Sequence, residues 1–310
     1  MKTALGHAFD LEYATIPPYL YALWSVKDRR CDVADAIRGI VWQEMFHMAM
    51  VGNLMTNLGK TPELHAPAYP VTGLPGNVHS GLTVCLKGVS AQAEQQDDVL
   101  KTFMTIEKPE NPLARAEKYP TIGKFYAAIK TAYRKHFPAQ PSGVQVTGRI
   151  GGDEVFAIGT SDQMVKAIDL ITEQGEGTTS SPTIGEYAEM AHYYRFGEVW
   201  HGKRIVETAP GKWAFSGDPV PRPAVHPMPE VPKGGWSDAA ASVRSELDAF
   251  NEQYHAVLTT VVALWKPENP ARLKDAVVEM IKLEQLADRL IEKQKKQAAV
   301  YGPEFRAQVR

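Results

Sequence analysis

Ile40-Val41-Trp42-Gln43-Glu44-Met45-Phe46-His47-Met48-Ala49-Met50-Val51 is the stretch whose reading decides the fold. Nearly every position is apolar, so the run offers no solvated stripe and reads as a helix buried on all sides. Glu44 and His47 stand three residues apart within it, which puts a carboxylate and an imidazole on one helical face. A buried carboxylate without a partner is costly, or it takes up a proton. A bound metal ion relieves that cost; so does a Glu–His hydrogen bond inside the core. The stretch alone leaves both open.

Working outward, the helix around this pair runs over about 33–58 and stops at Gly59, with Pro62 just beyond. A preceding helix over 4–27 carries Leu5, Ala8, Phe9, Glu12, Ile16, Leu20 and Leu23. Pro17 and Pro18 lie inside it, so the carbonyls of Tyr13 and Ala14 lose their usual donors and a kink is expected. The short turn between the two helices predicts an antiparallel pair. Downstream the pattern predicts a strand at 82–86, a short helix over 94–106, a polar loop, and a helix from Thr121 to about 137. A hairpin is expected at 144–158 around Gly151-Gly152, then helices over 162–175 and from Pro182-Thr183-Ile184-Gly185-Glu186-Tyr187 onward. Proline at 210, 219, 221, 223, 227, 229 and 232 marks an extended excursion over 203–236 with β-like pieces at 203–207 and 212–215. Two long helices, about 237–266 and 270–299, close the chain, joined by Lys266-Pro267-Glu268-Asn269-Pro270. The second carries an apolar stripe of Ala276, Met280, Leu283, Ala287 and Leu290. The expected class is all-α with small β insertions. Expected domains are 1–203, the proline-rich segment 204–236, and a C-terminal helical hairpin over 237–310 packed on the rest.

Composition sets the outer bounds. With 310 residues, 44% hydrophobic and 23% charged, the chain can bury a sizeable core. Thirty-four basic against thirty-six acidic residues gives a formal charge of -2, which excludes an obvious electrostatic footprint for nucleic acid or an anionic membrane. Two cysteines, Cys31 and Cys85, are too few for a disulfide framework or a thiolate metal site. Asp10 and Glu12 interrupt the N-terminus before a signal-peptide core can form, and no apolar run is long enough to span a membrane. A soluble cytoplasmic protein is therefore expected. Metalloprotease, phosphate-loop and dinucleotide fingerprints are all missing from the sequence.

Glu-x-x-His recurs at Glu189/His192 and at Glu252/His255, among other places. Chance placement gives roughly 0.6 such pairs, so context has to separate them. Polar neighbours surround Glu252 and His255, which reads as a solvated face. Glu189 and His192 lie in an aromatic-rich run, Tyr187 to Phe196, and read as metal or core with equal ease. A two-metal site in a helical bundle takes one Glu from each of two helices and Glu-x-x-His from each of two others. Glu12 is the natural donor from the first helix, and Glu173 or Glu176 from the helix before Glu189. Such oxygen-rich ligation with two imidazoles suits iron or manganese better than zinc.

Leu11-Glu12-Tyr13-Ala14-Thr15-Ile16-Pro17-Pro18-Tyr19-Leu20 resembles the opening of a ferritin-like family that includes a domain of the iminophenyl-pyruvate dimer synthase of violacein biosynthesis. The likeness continues through Glu44-Met45-Phe46-His47, Asn53-Leu54-Met55 and Gly59. It resumes at Phe103, Ile106, Glu107 and Pro109, then at Thr121-Ile122-Gly123-Lys124-Phe125-Tyr126 and Gln174-Gly175-Glu176-Gly177. It ends with His192-Tyr193-Tyr194-Arg195-Phe196-Gly197-Glu198, so that it covers about 4–203. The resemblance implies a ferritin-like bundle with a carboxylate/histidine iron site made by Glu12, Glu44, His47, Glu176 and His192. It favours Glu176 over Glu173, while Glu189 rests on its spacing to His192. Glu107 and Glu198 also match family positions, as ligands or as acceptors behind them. Tyr13 stands where the family often has His, and Lys124 replaces an acidic or amide position.

The implied activity is that of a non-haem dinuclear iron oxidoreductase, with manganese as the alternative metal. It would use dioxygen to oxidise, oxygenate or couple a small amino-acid-derived molecule in specialised metabolism. The insertions at 60–120 and 203–236 would roof a pocket, with Tyr126 lining it and Arg195 anchoring a carboxylate. Iron handling without an organic substrate, and a metal-free binding module, are the competing readings; the oligomeric state is left open. Glu44→Ala is expected to abolish metal binding and Glu252→Ala to leave it intact, as read by metal analysis after anaerobic reconstitution. The reverse result would move the site to the C-terminal hairpin.

Overall fold

The computed structural model describes residues 1–109, 121–138, 142–177, 182–184, 189–268 and 272–307. Helices α1 (Lys2–Ser25) and α2 (Asp32–Asn57) form its central antiparallel pair. From Leu5 to Ser25 nearly every side chain of α1 is buried, so this helix is packed on all sides, as its unbroken apolar pattern requires. α1 continues through Pro17 and Pro18. The Ala14 carbonyl, which Pro18 cannot serve, instead accepts a 2.7 Å hydrogen bond from the Tyr69 hydroxyl. α2 ends in a Schellman motif: Gly59, at φ 69°, donates to Thr56 O, and Lys60 N donates to Met55 O.

Strands β1 (Val71–Leu74) and β2 (Val78–Val84) make an antiparallel hairpin, longer and earlier than the single strand the sequence predicts. α3 (Val99–Ile106) is capped by the Asp98 carboxylate on Leu100 N, and α4 (Ile122–Lys135) by the Thr121 hydroxyl on Lys124 N. β3 (Gly148–Ile150) and β4 (Asp153–Val155) turn at Gly151-Gly152 as expected, and α5 (Ser161–Glu176) opens with a Thr160/Gln163 capping box. The fold is mostly helical with small two-stranded sheets.

The helix expected from Pro182 does not form. Thr183–Ile184 and Glu189–Met190 pair instead as β5 and β6, and α6 starts only at His192, running to His201. Gly185, Glu186 and Tyr187 lie outside the described residues. The Glu189/His192 pair therefore loses the helical spacing on which it was read. The polar loop after 109 also falls largely outside the described residues, as do Asn269 and Pro270 in the final connection.

The proline-rich excursion begins as the hairpin β7 (Lys203–Ala209) and β8 (Lys212–Pro219). It then straps the end of α1: Lys27 N donates to Ala224 O, His226 N to Ser25 O and Gly88 N to Met228 O. Arg222 fixes the strap to the α3 cap through Asp98 Oδ2 at 2.7 Å. The last two helices are α7 (Ala241–Ala263) and α8 (Leu273–Glu292). Aromatic contacts of Trp24 with Phe250 and of Phe9 with Trp265 seat α7 and the turn after it against α1, and α8 packs on α7.

Asn53 is the polar joint of this arrangement. Its Oδ1 accepts from Val146 N at 2.8 Å and Trp265 Nε1 at 3.0 Å, and its Nδ2 donates to Val146 O and Phe156 O. One fully buried amide thus ties α2 to the β3–β4 hairpin and to the end of α7. Asn53→Ala strands four partners, most of them buried, so a loss of about 2–4 kcal/mol is expected in urea unfolding. A loss below about 0.5 kcal/mol would show that the joint contributes no net stability.

Candidate functional site

Glu12 on α1 and Glu44 and His47 on α2 face one another in the core. Glu107, the residue that ends α3, and His192, the first residue of α6, complete the group. One donor atom from each of Glu12, Glu44 and His47 lies within 4.8 Å of the others, and the same holds for Glu44, Glu107 and His192. Glu44 belongs to both sets. The two imidazole rings stack at 5.6 Å between centroids. All five side chains are buried.

Both histidines turn Nδ1 inward. His47 Nδ1 is 3.3 Å from Glu12 Oε2, and His192 Nδ1 is 3.0 Å from Glu44 Oε1 and 3.6 Å from Glu107 Oε2. Both place Nε2 against a glutamine whose orientation other groups fix. Gln174 donates its amide to Asp153 Oδ1, which leaves its Oε1 to accept from His47 Nε2 at 2.7 Å. Gln43 donates to Glu189 Oε1 at 2.9 Å, while its Oε1 accepts from Arg195 Nη1 at 2.9 Å and from His192 Nε2 at 3.1 Å. The carboxylates are braced too. Thr15 Oγ1 donates to Glu44 Oε2 at 2.7 Å, Tyr19 donates to Glu107 Oε1 at 2.6 Å, and the Tyr126 hydroxyl donates to Glu12 Oε1.

Glu176 stands beside this group. It accepts from Gly123 N at 2.7 Å in the first turn of α4, and a Cβ at Gly123 would sit 2.4 Å from Glu176 Oε2. That close approach explains the glycine of the Thr-Ile-Gly motif. A Cβ at Gly175 would lie 3.3 Å from Glu107 Oε2, so the end of α5 abuts the Glu107 carboxylate as well.

Burial and the facing Glu107 carboxylate push Glu44 up to about 7. Burial also raises Glu176 to about 7, against the lowering effect of Gly123 N–H. Burial alone would lower His192, but Glu107 and Glu44 outweigh it and lift the ring to about 9. His47 is likewise raised: burial pulls it down, and Glu12 and Glu44 more than compensate. Despite these neighbours, His192 Nδ1 has no hydrogen bond of acceptable geometry among the described residues and is an orphaned buried polar atom there. A cation among Glu44, Glu107 and His192 would relieve the carboxylate crowding and give that nitrogen a partner. The donor set fits an oxygen-preferring divalent ion on each side of Glu44.

The residues flagged from sequence separate into groups. Glu12, Glu44, His47 and His192 come together with Glu107, and Glu176 adjoins them. Glu189 is exposed, accepts from Gln43 and is in neither donor set. Arg195, expected to anchor a substrate carboxylate, spends its guanidinium on Gln43 and on Ala36 O, packed so close that a Cβ at Gly39 would clash with it. Tyr126, expected to line a pocket, holds Glu12. Glu198 accepts from Arg204 and from Ile205 N at the start of β7, and Glu173 is half-buried and in neither set. Gln43 and Gln174 were not foreseen. Gln174 stands in the Gln174-Gly175-Glu176-Gly177 motif, and Gln43 is next to Glu44.

A ferritin-like family profile matches residues 5–201. The chain belongs to the ferritin-like family. A crystal structure of a ferritin-like protein from Caulobacter vibrioides superposes with a TM-score of 0.66 at 22% identity, covering 97% of this chain and 96% of that one. At that identity the likeness speaks for the fold, and it extends through the C-terminal helices. No curated protein sequence matches the chain. The ferritin-like fold includes di-iron carboxylate proteins, and the buried cluster is compatible with a di-metal site. No helix among the described residues is long and apolar enough to cross a membrane.

Ligation requires neutral imidazole and ionised carboxylate, so a metal entering this site must displace the proton on His192 and whatever proton Glu44 holds. Apparent Mn(II) affinity should therefore rise with pH, with about one proton released per ion between pH 6 and 8, and flatten only above about pH 10, where His192 is largely neutral. Loss of the free-ion electron paramagnetic resonance signal measures it. Affinity that is flat or falls as pH rises would exclude ligation by these groups.

Proposed function

We propose that this ferritin-like protein is a non-haem dinuclear iron oxidoreductase, with manganese as the alternative metal, that uses dioxygen to oxidise, oxygenate or couple a small amino-acid-derived molecule. The observation that carries the reading is Glu44, shared between two sets of donors, each completed by an imidazole whose outer nitrogen is held by a glutamine. Glu12 and His47 would hold one ion, Glu107 and His192 the other, with Glu44 between them and Glu176 beside Glu107. Bound iron supplies the redox chemistry with dioxygen.

The chain's own residues set the conditions. Thr15, Tyr19 and Tyr126 keep the carboxylates pointed inward, and Gln43 and Gln174 hold each ring with Nδ1 available. Glu189 and Arg195 act one step further out, by fixing Gln43. Burial keeps bulk water off the cluster and strengthens every charge interaction within it. The substrate class rests on the resemblance to the violacein-associated family and on no feature of the site.

Anaerobic reconstitution with Fe(II), followed by exposure to oxygen, tests the proposal. About two irons per chain and oxygen uptake at the loaded protein are expected. Glu107→Ala should lower the stoichiometry to about one or less, whereas Glu189→Ala should keep both ions, because the Glu189 carboxylate accepts from Gln43 and is in neither donor set. Absence of bound iron and manganese in the wild-type chain would overturn the reading.

A further inference from the structure

The two imidazoles of the cluster are held alike, and the likeness isolates one difference between them. Behind His47, the Gln174 carbonyl accepts from Nε2 at 2.7 Å while the Gln174 amide donates to the Asp153 carboxylate on β4. Behind His192, the Gln43 carbonyl accepts from Nε2 at 3.1 Å while the Gln43 amide donates to the Glu189 carboxylate on β6. Each ring has a glutamine oxygen behind it, and each glutamine has a carboxylate behind it. Arg195 has no counterpart on the His47 side among the described residues. Its Nη1 donates at 2.9 Å to the same Gln43 oxygen that serves His192.

The fold makes room for that arginine. Gly39 lies about one turn before Gln43 on α2, and a Cβ there would come within 2.2 Å of Arg195 Nη2. Nη2 in turn donates to Ala36 O at 2.9 Å, so among the described residues the guanidinium spends its hydrogen bonds on neutral oxygens. Arg195 is half-buried, and its positive charge bears on Gln43 with only partial screening by water. A hydrogen bond from a cationic donor is roughly twice as strong as a neutral one, so Arg195 takes the larger share of the Gln43 oxygen. The longer bond to His192 is the expected result. An imidazole whose outer N–H is weakly accepted has less electron density at its inner nitrogen and is the poorer metal ligand.

We propose, on the dinuclear reading given above, that Arg195 makes the two ions unequal. By drawing on the Gln43 oxygen it weakens His192 as a ligand, so the ion held by Glu44, Glu107 and His192 is the looser and more readily exchanged of the pair. Arg195 is then a positioning residue with a definite sign. An arginine that merely propped Gln43 would tighten the site it supports; this one loosens it. Glu189 does not reverse the effect, because Asp153 stands in the same relation to Gln174 on the other side.

Mn(II) titration of the metal-free full chain, followed by the free-ion electron paramagnetic resonance signal, should show two steps of unequal affinity. Arg195→Met, which removes the charge and keeps a long side chain, should tighten the weaker step about tenfold and leave the stronger within about twofold. Gly39→Ala should tighten the weaker step about threefold, because its methyl group displaces the flexible end of Arg195 from Gln43. Alanine suits a helix better than glycine, so this variant tests the proposal even if Arg195→Met does not fold. Glu107→Ala removes a ligand of the His192-side ion, and in that background Arg195→Met should leave the remaining step unchanged. A general loss of positive charge would tighten both steps and would persist there. Equal steps in the wild type, a weaker step that fails to tighten in a folded Arg195→Met or Gly39→Ala chain, or a tightening that survives Glu107→Ala would each overturn the role of Arg195 and leave the dinuclear reading standing. No Mn(II) uptake by the wild-type chain would overturn that reading, and the role of Arg195 with it.

Discussion

The architecture depends on one electrostatic constraint: carboxylates and imidazoles are held together away from water. Glu12, Glu44 and Glu107 converge in a region where the aqueous screening of like charges is lost, and Glu176 is close behind. The chain meets this constraint in two ways. Hydroxyls of Thr15, Tyr19 and Tyr126 donate to the carboxylates, and two histidines bring proton-binding nitrogens among them. The raised positions of Glu44 near 7 and His192 near 9 are the signature of what remains. Residual crowding of this kind is what a divalent cation removes.

The parts of this that were legible in the sequence are those governed by local rules. The burial of Glu44 and His47 was readable from the apolar run around them, although Trp42 in that run is exposed, and Thr121, Thr160 and Gly59 act as helix punctuation where turn chemistry predicts. The Pro17-Pro18 step was legible as a loss of donors. Its remedy, the Tyr69 hydroxyl on Ala14 O, was not, because the two are joined only by tertiary packing. The 182–191 segment failed for a related reason. Its Thr-Ile-Gly wording repeats that of α4, but the α4 version is set by Glu176 receiving Gly123 N–H, a partner that local sequence does not show.

That failure explains why Glu189 was expected among the ligands while Glu107 was left open as a ligand or an acceptor behind them. The i, i+3 rule holds only within a continuous helix, and His192 is the first residue of α6. Its carboxylate neighbours therefore come from elsewhere: Glu44 from α2, and Glu107 from the end of a short helix inside the 60–120 insertion. Glu189 was nonetheless near the right place. Together with Arg195 it orients Gln43, and Gln43 orients His192. A residue pair read as ligand and substrate anchor is, in the fold, the support of a support.

The two faces of the α1–α2 pair carry opposite demands. Glu12 and Tyr13 are adjacent on α1, as are Glu44 and Met45 on α2, yet one of each pair serves a charged cluster and the other an apolar cavity. A helix that must present both faces cannot rotate to improve either. Its register has to be fixed by groups at its ends and flanks: the strap on Ser25 and Lys27, the Tyr69 hydroxyl on Ala14, and the Asn53 joint on α2. This accounts for the proline-rich excursion and the two added C-terminal helices as structure. They clamp a helix pair whose polar side carries crowded charge, and so hold the cluster's side chains together. A ligand that binds only the assembled state then adds its own stabilisation to a geometry already made, instead of having to create it.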